Sequence, residues 1–178
     1  MATEILRPNA PGDFTQIDNR VGASSNYACV NDNSDATYVQ DAYGGDFVWQ
    51  VDAYNLQNTA IPTGSTINSV SVVHRSLSLN GSFPDVVTSR AGVRLNGISV
   101  DGIIRSPPAT PTNYIDANML RPGGGSWTLG DLNALQVQLT LHGHSSFWMP
   151  RAFDIYVIID YTVPVVHSLQ RVMNPRAG

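Results

Sequence analysis

A chain of 178 residues has room for one domain with a full core, and length alone argues against two. Only 13% of residues are charged, all ten cations are arginine, and Glu4 is the one glutamate beside thirteen aspartates. Two of the best helix-surface residues, Lys and Glu, are thus absent or nearly so, and a net charge of −4 speaks against a surface that clusters cations on phosphate, so nucleic acid is not an expected partner.

The abundance of Val, Ile, Thr, Tyr, Gly, Pro, Asn and Asp is that of short strands joined by tight turns, which predicts an all-β fold. Cys29 stands alone, so no disulfide can form within the chain, and its expected role is a small buried apolar residue. The first residues lack the basic start and apolar run of a signal peptide, and no stretch approaches the roughly 20 apolar residues that cross a bilayer. The expectation is a chain kept in, or assembled in, a cytoplasm, with no membrane partner.

In chain order, residues 1 to about 20 carry Pro8, Pro11 and Gly12, which exclude a helix and predict an extended arm or an edge strand. Residues 27–30 and 37–39 read as short strands around the polar turn Asn31-Asp32-Asn33-Ser34-Asp35. Residues 46–52 place Phe47, Trp49 and Val51 on one face, the pattern of a core strand. Residues 67–79 form the longest strand candidate, but the apolar phase changes, with Val70 and Val72 on one parity and Val73, Leu77 and Leu79 on the other. A bulge or a crossing between sheets near residues 74–76 is expected. Residues 90–95 and 98–105 flank Asn96-Gly97, the dipeptide of a type I′ hairpin.

Residues 106–111 are a proline-rich extended loop, and Gly123-Gly124-Gly125 a flexible one. Residues 126–141 read as a strand preceded by a single helical turn at 129–133. Residues 151–162 alternate, with Phe153, Ile155, Val157, Ile159 and Tyr161 on one face. Eight or nine strands predict a two-sheet antiparallel jelly-roll sandwich over 21–162, whose core includes Phe47, Trp49, Val51, Phe153, Ile155, Val157 and Ile159. Residues 163–178 form a tail whose two arginines, Arg171 and Arg176, face no acid. The tail is therefore +2 and the rest of the chain −6, which suits docking on an acidic partner.

No motif carries catalysis. His142-Gly143-His144 would place two imidazoles on one strand face, but a third zinc ligand is not evident, so structural histidines are expected. The Asp32 to Asp35 run offers oxygens but lacks the glycine and glutamate of an EF-hand loop, and an Asx-rich turn is the better reading. Asp154 and Asp160 share a face roughly 20 Å apart. A glycosidase pair sits about 5 to 9.5 Å apart, so both are assigned to solvation of an exposed face. Trp49, Trp127 and Trp148 with Tyr43, Tyr54 and Tyr114 could stack on sugar rings, although aromatics at alternating strand positions more often fill a core. Phe147-Trp148 beside Pro150 reads as an exposed loop tip. No metal, cofactor or enzymatic activity is predicted.

Four blocks, Ile5-Leu6-Arg7-Pro8-Asn9-Ala10, the Ser-Val-Ser-Val-Val-His-Arg pattern within 67–75, Trp127-Thr128 to Leu135-Gln136-Val137, and Ile155-Tyr156-Val157 to Asp160-Tyr161, together resemble small β-sandwich structural proteins of tailed bacteriophages. The resemblance implies a virion component: a jelly-roll decoration protein bound outside the capsid, as a homotrimer on the major capsid protein or another virion subunit. It carries no site residues. From proline content and charge, Ile5, Leu6, Arg7 and Pro8 with Arg171 and Arg176 are the candidate assembly contacts. The alternative is a carbohydrate-binding or adhesion module on a tail fibre, with Phe147 and Trp148 facing the ligand.

Overall fold

A computed structural model describes residues 1–41, 48–79, 87–143 and 149–165. They form a two-sheet antiparallel β-sandwich of jelly-roll type. Its elements are β1 (Ala2–Leu6), β2 (Pro8–Thr15), β3 (Asn19–Val21), α1 (Asn26–Cys29), β4 (Tyr38–Gln40), β5 (Gln50–Leu56), β6 (Thr66–Ser78), β7 (Thr88–Leu95), β8 (Ile98–Asp101), β9 (Thr112–Asp116), α2 (Leu129–Asn133), β10 (Gln136–His142) and β11 (Pro150–Thr162). One sheet runs β3-β4-β11-β6-β9, with β1 also paired to β11; the other runs β2-β5-β10-β7-β8.

The expected N-terminal segment is divided between the sheets. Register places Leu6 opposite Val157 in the first sheet and Pro8 opposite Leu56 in the second, so the chain changes sheets at Arg7. Leu6 is fully buried and Pro8 buried, which leaves neither free to reach another subunit. Arg7 donates to the Asp154 carboxylate at 2.6 Å and lies over the Tyr156 ring, so it too is engaged within the chain. Ile5, 46% exposed, keeps an open face. Arg171 and Arg176 lie outside the described residues.

β11 is long because its alternation buries Ile155, Val157 and Ile159 without interruption. One residue is extra: Ala152 pairs with Ser76 and Asp154 with Arg75, so Phe153 is bulged. The bulge brings Ala152 into the core, while Phe153, also buried, sets its ring edge-on against Tyr38 at 5.7 Å. The phase change expected in β6 is therefore not a bulge of β6 at 74–76. Val70, Val72, His74, Ser76 and Ser78 are all buried on one parity, because polar residues simply continue the inner face. Two of those polar groups meet between the sheets: Ser89 Oγ of β7 lies 3.1 Å from His74 Nε2 and 2.9 Å from Ser76 Oγ, while His74 Nδ1 is buried without a hydrogen-bond partner among the described residues.

Two further expectations change. Residues 26–29 form a helical turn rather than a strand, followed by Val30, whose carbonyl accepts from the Ile155 amide at 2.9 Å. That bond fills the gap on β11 between β4, which pairs at 151–152, and β1, which pairs at 157–161. β5 starts at Gln50, and its partnership with β10 sets its phase: Tyr54 sits opposite Val137 and Val51 opposite Thr140. Asp52, Tyr54 and Leu56 therefore point inward, whereas Trp49 is 36% exposed and Val51 half-buried. Phe47 is outside the described residues. Asp52 can be an inward residue because four donors reach it: the Gln16 and Ile17 amides, Asn26 Nδ2 and Tyr54 Oη, all at 2.7 to 2.9 Å.

The hairpin over Asn96-Gly97 forms as expected, with φ of 50° and 83° at the two turn residues. The helical turn at 129–133 is also present. Thr128 caps it, accepting from the Asp131 amide, while Asp131 accepts from the Thr128 amide.

Candidate functional site

The outer face of the five-stranded sheet is assembled by register, since directly paired antiparallel residues share a face. With Val137, Leu139 and Leu141 of β10 in the core, Gln136, Gln138, Thr140 and His142 point outward. Asn55, Gln136, Arg94 and Ser99 form one row across the sheet. The next row is Ala53, Gln138, Gly92 and Asp101, and the third is Val51, Thr140 and Arg90. Residues sharing this face come from four strands, of which β5, the β7–β8 hairpin and β10 are far apart in sequence.

In the middle row small residues flank Gln138 on both sides. Gly92 can be nothing larger, because a Cβ there would stand 2.6 Å from the Val100 carbonyl oxygen. Gln138 is 6% exposed, and both ends of its amide are fixed: Ser99 Oγ donates to its oxygen at 2.9 Å and its nitrogen donates to Asp101 Oδ1 at 3.1 Å.

Two arginine–aromatic pairs bracket this row. On one side Arg94 lies 4.5 Å from the Phe14 ring centre and donates to Asp13 at 2.8 Å and to Ser99 at 3.1 Å. Gln136 Nε2 also donates to Asp13, at 3.0 Å. These bonds hold the Asp13 carboxyl below the usual carboxylate range, Arg94 being the larger cause. On the other side Arg90 pairs with Asp101 at 3.0 Å and lies 5.0 Å from the Trp49 ring centre, while Trp49 stacks on the His142 ring at 4.7 Å. The result is a strand-borne array of planar polar groups edged by aromatic rings, with Trp49, Asp13 and Asp101 still open to solvent.

The array holds no activated nucleophile and no acid–base pair. It can orient hydrogen bonds to a polar ligand from side chains already fixed in place, so little rotamer freedom is lost on binding.

The other sequence candidates fall elsewhere. His142 belongs to this face, but His144, Phe147, Trp148 and Tyr43 lie outside the described residues. Tyr54 is buried and bonded to Asp52; Trp127 donates its indole N–H to the Met119 carbonyl at 3.0 Å and packs on the core. Tyr114 lies beside His74 and Arg105. Asp32 closes an Asx turn through the Ser34 amide and accepts from Thr37, while Asp35 pairs with Arg75 at 2.7 Å. Asp160 accepts from Thr3 and Ser69. Asp154 departs from the expected solvated role: it is 2% exposed, bound to Arg7, and burial pushes its carboxyl up against the pull of that arginine. Cys29 is fully buried, and burial raises its thiol above the ordinary range.

Arg90, Arg94, Gln136, Gln138, Ser99, Asp101, Asp13 and Phe14 were not singled out from the sequence. The alternations Arg90-Ala91-Gly92-Val93-Arg94 and Gln136-Val137-Gln138-Leu139-Thr140 carried the signal, since each marks a polar outer face. Their meeting is a matter of register between strands.

No family model matches the chain, and no curated protein matches its sequence. Solved structures with a similar outline include one described as "CBM4 structure and function", 18% identical over 75% of this chain and 88% of that chain, TM-score 0.42. Another is the CBM36-1 domain of a multidomain xylanase from the hindgut metagenome of Trinervitermes trinervoides, 15% identical over 92% of this chain and 100% of that one, TM-score 0.41. A third is TmCBM61 in complex with beta-1,4-galactotriose, 11% identical over 76% and 78%, TM-score 0.38. Likeness at this level is one of outline and is no guide to ligand or activity.

Proposed function

We propose that the chain is a non-catalytic binding module that holds a carbohydrate chain across the outer face of its five-stranded sheet. The carrying observation is the fixed array of Gln138, Ser99, Asp101, Arg90 and Arg94 edged by Trp49 and Phe14. Vicinal sugar hydroxyls are both donors and acceptors, so they match paired amide, guanidinium and carboxylate groups held in one plane. Aromatic edges cover the apolar faces of the ring. Screening the chain on a glycan array, followed by calorimetry on the best oligosaccharide, tests this. Trp49→Ala and Gln138→Ala should each weaken binding about 10-fold, as expected for losing roughly 1.4 kcal/mol. Failure of every glycan, or unchanged affinity in both variants, would refute the reading.

A second reading, assembly as an oligomer on a virion shell, is favoured by a different surface. Ile103, Ile115 and Leu120 are 60%, 57% and 75% exposed and line one groove of about 330 Å3 beside the edge strands β8 and β9. Exposed aliphatic clusters of this kind mark association surfaces. Light scattering of the wild type and of Ile115→Asp decides it: a trimer that dissociates in the variant supports assembly, and a monomer in both removes it.

A further inference from the structure

A second groove, of about 180 Å3, lies beside β2, and its walls include Pro11, Arg20, Ser24, Ser25 and Tyr27. Its base is rigid: Asn26 and Tyr54 are buried and both are bonded to Asp52. Its rim is unspent. Ser25 is the residue before α1 and its hydroxyl caps nothing, and Ser24 and Arg20 are exposed. Among the described residues every other arginine has a carboxylate, amide or ring partner. Arg20 has none, although the chain carries four more acids than cations. A cation left single in an acidic chain, at the mouth of a groove with free hydroxyls, is placed to receive an anion. The half-buried Tyr27 ring and the exposed Pro11 ring add an apolar surface. The volume is below the roughly 300 to 1,000 Å3 of sites for larger ligands and suits a single ring.

We propose that this groove takes one acidic sugar unit, its ring against Tyr27 and Pro11 and its carboxylate on Arg20 with the Ser24 and Ser25 hydroxyls. The buried Asp52 behind the base does not oppose this, because four donors already point at its carboxylate. The sugar ring in this proposal rests on the carbohydrate reading above; the carboxylate requirement rests on Arg20 alone.

The test is an NMR titration of the full chain with D-glucuronate, with glucose as the ring without the charge and acetate as the charge without the ring. Glucuronate should shift the amides of Ser24, Ser25 and Tyr27 saturably, with glucose and acetate at least about 10-fold weaker, and Arg20→Gln should lower glucuronate affinity about 10-fold. Trp49→Ala should leave these shifts unchanged, which separates this groove from the sheet face. Equal binding of glucose, indifference to Arg20→Gln, or no saturable shift at these amides would overturn the proposal. Loss of every glycan at the sheet face with the groove shifts intact would refute only the first site.

Discussion

His74 shows how one buried side chain couples the sandwich to pH. It is wholly inaccessible between the sheets, and burial lowers its pKa from 6.5 to about 4, with the nearby Asp116 charge pulling weakly the other way. A folded pKa below the unfolded one means that the unfolded chain binds the proton first. Stability from this residue is therefore complete above pH 6.5 and is lost as pH falls toward 4, by on the order of 3 kcal/mol. Asp52 and Asp154 have raised pKas and act in the opposite sense at the acid end of that window. The expected result is thus a difference: thermal melts between pH 7 and 4 should fall more steeply for the wild type than for His74→Gln. Parallel curves would show that the imidazole opens to water before it protonates. At Asp52 the matching experiment is Asp52→Ala, which leaves two amides, Asn26 and Tyr54 without their acceptor. It should cost about 3 kcal/mol or more in urea unfolding, against a smaller loss for Asp52→Asn, which keeps an oxygen.

Among the elements, the β7–β8 hairpin and the α2 turn are set by local chemistry. Gly97 has φ of 83°, and the nearest atom a Cβ would meet is Arg94 Nη2 at 3.9 Å, so Gly97→Ala tests backbone conformation without a clash. A loss of about 1 kcal/mol is expected by chemical denaturation. At α2, Thr128 and Asp131 close a reciprocal cap that Arg121 completes with two bonds at 2.9 Å. That guanidinium, aided by Thr128, holds the Asp131 carboxyl at about 2. Its stabilisation is present above pH 3.8 and disappears as pH falls to 2. Thr128→Ala should cost about 1 kcal/mol at neutral pH. These two elements were legible in the sequence because their signals lie within a few residues: Asn96-Gly97 for the turn, Thr128-x-x-Asp131 for the cap.

At the scale of the molecule, β11 is the central strand, paired along one edge with β6 and along the other with β1 and β4. Ile155, fully buried opposite His74, sits where the hydrophobic core meets the polar seam. Ile155→Ala should lose roughly 2 to 5 kcal/mol, measured by calorimetry. Far-UV circular dichroism should be that of a β protein with little helix.

The sequence by itself determined the all-β class, the long alternating strand at 151–162, the hairpin and the helical turn, because periodicity and turn chemistry act over neighbouring residues. Tertiary structure alone decided which face of β5 is inside. The inward phase of β5 follows from its pairing with β10 and from four distant donors around Asp52, and no local pattern places an aspartate in a core while leaving a tryptophan outside. The candidate site has the same origin. Arg90, Arg94, Ser99, Gln138 and Asp13 are ordinary polar residues in sequence, and the order of strands in the sheet brings them together.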